Sequence, residues 1–71
     1  MDPWGQQWMI YIEECRVRLY LQDMIASDDK LNPVFTHNVR YAMRMDNFDS
    51  AMKWREKLLG MGCEPHITAL R

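Results

Sequence analysis

Apolar positions recur at spacings of three and four along much of the chain. Trp4, Trp8, Ile12, Cys15 and Leu19 trace one stripe, and Ile10, Val17, Leu21, Met24 and Ile25 a second. Stripes of that period mark a helix with contacts on two sides. Asp2 is placed to cap it, and Pro3 suits the first helical position, where a missing N–H does no harm. A period-two pattern competes: residues 15–22 alternate apolar and polar, and Trp8–Ile12 is rich in strand formers. A hairpin joining those runs would turn at Glu13-Glu14, which supplies no Gly, Asn or Asp for positive φ angles. The pattern therefore predicts a helix over 3–26.

The polar run Ser27-Asp28-Asp29-Lys30 breaks the pattern, and Asn32-Pro33 reads as the cap and first residue of a helix over 33–45. On it Phe35, Val39, Ala42 and Met43 share a face. After a short break, an Asp46 or Asp49 cap opens a helix over 49–61 with Ala51, Met52, Leu58 and Leu59 inward and Trp54 and Met61 on a flank. Gly62 suits the left-handed position that ends helices, and Pro65 bars continuation. Residues 65–70 are left as a helical stub too short to stand alone. The expected fold is all-α: one small domain over 1–71 with three antiparallel helices and a C-terminal stub, built like a helical repeat.

Composition sharpens this. With 48% hydrophobic and 27% charged residues the chain is too apolar for disorder, yet a domain of 71 residues buries only about 60% of the surface its unfolded chain exposes. Seven methionines suit an adaptable core or a contact surface, and three tryptophans exceed what so small a core readily hides, pointing to a contact surface. A net charge of −1 gives no global field toward nucleic acid or anionic lipid. Cys15 and Cys63 lack Cys-x-x-Cys spacing, so an intracellular reducing compartment is expected. No apolar run approaches the ~20 residues of a membrane span.

Two short matches, Pro33-x-Phe35-Thr36 and Pro65-x-Ile67-Thr68, recur along the chain. Between them, Thr36-His37-Asn38 stands where pentatricopeptide repeats start their first helix. Asp49, Ala51, Leu58, Gly62 and Pro65 fall as in that family's second helix and its exit. The segment resembles one such repeat with parts of two neighbours. The resemblance implies a helical hairpin of an RNA-binding solenoid, of mitochondrial or other organellar setting, in which two side chains per repeat read one base. Carried over, those are Asn38 and His66, with Arg40 and Arg44 near the phosphates.

Catalytic patterns are thin. His37 and His66 have no nucleophile in a recognisable motif, and Cys63-x-x-His66 would need His37 and Cys15 from other elements to complete a metal site. The sequence therefore predicts no enzyme activity, no cofactor and no metal. It predicts a non-catalytic protein-interaction module, a small subunit or adaptor of a multi-protein assembly or a homo-oligomer, with Trp4, Trp8, Tyr11, Trp54 and Met61 as contact residues. Single-stranded RNA binding through Asn38, His66, Arg40 and Arg44 is the alternative.

Overall fold

The computed structural model describes residues 6–70. Strand β1 (Gln7–Glu14), strand β2 (Val17–Ser27) and strand β3 (Lys30–Thr36) run first. A 3₁₀ turn (Val39–Tyr41), helix α1 (Phe48–Gly60) and strand β4 (His66–Leu70) follow. The strands form one antiparallel sheet of order β3-β2-β1-β4.

This overturns the all-α expectation, and with it the pentatricopeptide resemblance and its helical-repeat reading. Of the helices expected at 3–26, 33–45, 49–61 and 65–70, only the third is a helix, at Phe48–Gly60. The first is a β-hairpin, and its turn explains the error. Glu14 pairs with Val17, so the loop is Cys15-Arg16, one step beyond Glu13-Glu14. Both loop residues take positive φ, 51° and 68°, the two-residue geometry whose twist matches that of the strands. Non-glycine residues bear about 1–2 kcal/mol each for the left-handed region, a cost the paired strands offset. Asp28-Asp29, at φ 50° and 64°, repeats the device between β2 and β3, with the short polar side chain that tolerates it best. Pro33 is not a helix start: it lies in β3, opposite Met24.

The third helix obeys the sequence more closely. Asn47, rather than Asp46 or Asp49, is its cap: Asn47 Oδ1 accepts from the Ser50 N–H at 2.8 Å. At the other end Cys63 N–H donates to Leu58 O and Gly62 N–H to Leu59 O, both 3.1 Å, the paired closure that wants a left-handed residue in the Gly62 position. Gly62 has φ 90°.

Strand alternation sorts side chains onto two faces. Ile10 and Leu21 point to the helix, where they meet Ala51, Leu58 and Met45 in the main buried cluster, with half-buried Ile67 packed against it from β4. Phe35, Met24, Met43, Trp8, Trp54 and Cys63 pack around it, half-buried. Beyond Tyr11↔Tyr20 the first two strands part, and a bulge between Leu21 and Asp23 bends β2 away. Residues 43–45 fill the split: Met43 N–H donates to Leu21 O at 2.7 Å, and Trp8 and Met45 exchange a pair of bonds at 2.9 Å. No helix among the described residues is long and apolar enough to cross a membrane, which leaves β-barrel spanning untouched.

Candidate functional site

The sheet face turned away from α1 carries an organised group of polar and aromatic side chains. Tyr11, at the centre of β1, lies opposite Tyr20 on β2 and His66 on β4. Glu13 lies opposite Arg18. The Tyr11 ring stacks on His66 at 5.2 Å with 29° between planes, and tilts against Tyr20 at 6.0 Å. Arg18 sets its guanidinium carbon 4.3 Å from the Tyr11 ring centre, the cation over the electron-rich face. Its Nε lies 3.8 Å from Glu13 Oε2. Hydrogen bonding with the Tyr20 side chain first, then the Tyr11 phenol, raises the Arg18 pKa above its ordinary value. The side chains of Arg18 and Glu13 are 52% and 55% exposed, so the group is accessible while its members hold one another in place.

An open cleft of about 370 Å³ adjoins this face, sharing Glu13 and His66 and bringing in Glu14, Cys63 and Glu64. Cys63 is half-buried and unbridged. No group of three or more His, Cys, Asp or Glu positioned to hold a metal occurs among the described residues. Cys15 lies in the exposed β1–β2 turn. His37 is exposed just past β3.

The residues singled out by sequence are dispersed. Trp4 lies outside the described residues. Trp8 is half-buried on the helix side, edge-on to Phe48 at 5.1 Å. Trp54 is half-buried against the core, with Lys57 Nζ 5.0 Å from its ring centre. Met61 is exposed at the end of α1. Tyr11 alone of the five sits at the centre of the polar–aromatic group. Asn38 caps the 3₁₀ turn, its Oδ1 accepting from the Arg40 N–H at 2.9 Å, while Arg40 and Arg44 are exposed between β3 and α1. The first and last positions of a helical hairpin, on which Asn38 and His66 were placed as a base-reading pair, do not exist in this fold. His66 instead begins an edge strand. Tyr20 was missed as a site residue and Arg18 was not placed beside Tyr11, although the alternation Val17-Arg18-Leu19-Tyr20-Leu21 places both opposite the apolar set once read at period two.

No protein-family model, curated protein or solved structure matches the chain.

Proposed function

We propose that the protein is a non-catalytic protein-interaction module, a small subunit or adaptor of a larger assembly, that engages its partner through the sheet face opposite α1. The observation that carries this reading is the Arg18–Tyr11–His66 stack with Tyr20 alongside. Tyrosine and arginine are enriched at the energetic centres of protein interfaces, where they combine apolar area with a hydrogen-bonding tip. Here they are held by mutual stacking before any partner arrives, which lowers the ordering entropy of binding. Glu13 beside Arg18 favours a protein partner over a nucleic acid. Phosphate binding draws on uncompensated positive charge, whereas a paired acid and base offer charges of both signs to a mixed polar surface.

A capture comparison tests this. Immobilised wild-type protein is expected to retain a partner from an extract of its source that a Tyr11→Ala/Arg18→Ala variant, shown folded by circular dichroism, does not retain. Equal retention by both forms would overturn the assignment of this face.

A further inference from the structure

The two edges of the sheet are built differently. In a two-residue hairpin the residues flanking the turn exchange both backbone bonds. From Ser27↔Lys30, the residues Lys30, Asn32 and Val34 therefore bond to β2, while Leu31, Pro33 and Phe35 turn their backbone groups outward. Pro33 has no N–H, so the middle of that edge lacks a donor, and Lys30 adds charge at its start; both are devices that block edge-to-edge pairing. On the other edge the parity follows from Trp8, whose bonds to Met45 point away from β4. Gln7, Met9 and Tyr11 therefore bond to Leu70, Thr68 and His66, leaving the N–H and C=O of Ile67 and Ala69 facing outward. Among the described residues no strand flanks that edge. It carries no proline, lysine or bulge between His66 and Leu70.

We propose that β4 is a self-association edge, pairing antiparallel with β4 of a second copy about a two-fold axis at Thr68. This rests on the interaction-module reading and adds a second surface to it. The occupant is a second copy because, in the register centred on Thr68, both outward-facing residues, Ile67 and Ala69, find their partners within β4 of the copy. Ile67 meets Ala69 of the other copy as a hydrogen-bonded pair on the helix side, and the reciprocal pair does the same, giving about four inter-chain hydrogen bonds. Thr68 meets Thr68, a favourable cross-strand pair. The residues so paired carry no charge, and a chain of net charge −1 meets its copy with little repulsion. The axis stands perpendicular to the sheet, so both α1 helices lie on the same side of one continuous sheet. The 5 residues of β4 bury far less than the ~1,200–2,000 Å² of a stable interface. The dimer therefore dissociates on dilution.

The parity supplies a selective test. Ala69→Pro removes an outward N–H and leaves the β1–β4 ladder intact, and the strand conformation of Thr68 suits a residue before proline. Ala69→Lys blocks the edge by charge should the proline variant fold poorly. In a Cys15→Ser/Cys63→Ser background, Thr68→Cys sets two thiols at the axis, where a non-hydrogen-bonded pair has Cα atoms about 4.5 Å apart, within disulfide reach of ~4.4–6.8 Å. Sedimentation velocity over a concentration series is expected to show a wild-type monomer–dimer equilibrium, an Ala69 variant that stays monomeric with a wild-type unfolding midpoint, and disulfide-linked dimers of Thr68→Cys under mild oxidation. A wild-type protein that is monomeric throughout, a dimer that persists in folded Ala69 variants, or failure of Thr68→Cys to cross-link would each overturn the proposal. None of these touches the face reading, which is read by the Tyr11/Arg18 comparison.

Discussion

The two faces of the sheet draw on the same strands for opposite purposes. Toward α1, Ile10, Leu21 and Leu58 are fully buried, with 0% exposure, and each contributes through area removed from water and close packing. Away from α1, Tyr11, Arg18, Tyr20 and His66 contact one another rather than a second layer. The one-residue steps from Ile10 to Tyr11 and from Leu21 to Tyr20 cross from one regime to the other. Burial on the helix side supplies most of the stability; on the opposite face Met9 is also buried, but the Tyr11–Arg18–Tyr20–His66 group beyond it is open to contact, and its side chains can change at small cost to the fold.

The largest expected effect lies on the covered face. Leu21→Ala should destabilise the protein by about 2–5 kcal/mol through lost transfer energy and a residual cavity, measured by urea unfolding. In a domain this small that leaves little or no net stability. Next comes the turn that decides which residue reaches which face, since a one-residue slip of register would exchange them. Replacing Cys15-Arg16 by Asn-Gly should stabilise by about 1 kcal/mol by relieving two positive-φ residues, read as a raised urea midpoint at unchanged slope. The smallest effect falls on the uncovered face. Arg18→Gln should leave the unfolding midpoint within error, because an exposed ion pair with Glu13 contributes little, while weakening partner retention in the capture comparison.

The sequence carried part of this. Helix α1 was legible from inward Ala51 and Leu58, a polar cap region, Gly62 at the stop and Pro65 beyond, although Leu59, read as inward, is exposed. The two faces were legible as well, in the alternation of residues 15–22, but that signal lost to an overlapping three-and-four spacing in Trp8, Ile12, Cys15 and Leu19. Short apolar runs fit both periods, and the turn is the arbiter. Cys15-Arg16 has no turn residue, so its conformation is imposed by the strands it joins rather than by local preference. The site followed the fold. Tyr11 stood out for its size, but His66 was set against Asn38 rather than Tyr11, because the β1–β4 pairing joins residues more than fifty positions apart. Trp8 and Trp54, read as surplus apolar surface, pack against the core once one helix covers one sheet face.

The most direct measurement compares Ile10→Thr with Tyr11→Thr, neighbours on β1 with opposite faces and the same strand-compatible replacement, by equilibrium urea unfolding. Ile10→Thr should cost about 2–5 kcal/mol, from lost packing and a buried hydroxyl, and Tyr11→Thr about 1 kcal/mol, the scale of cross-strand pair contributions. Equal losses, or a greater loss at Tyr11, would contradict the division between a helix-side core that builds stability and a Tyr11-centred group that is free to bind.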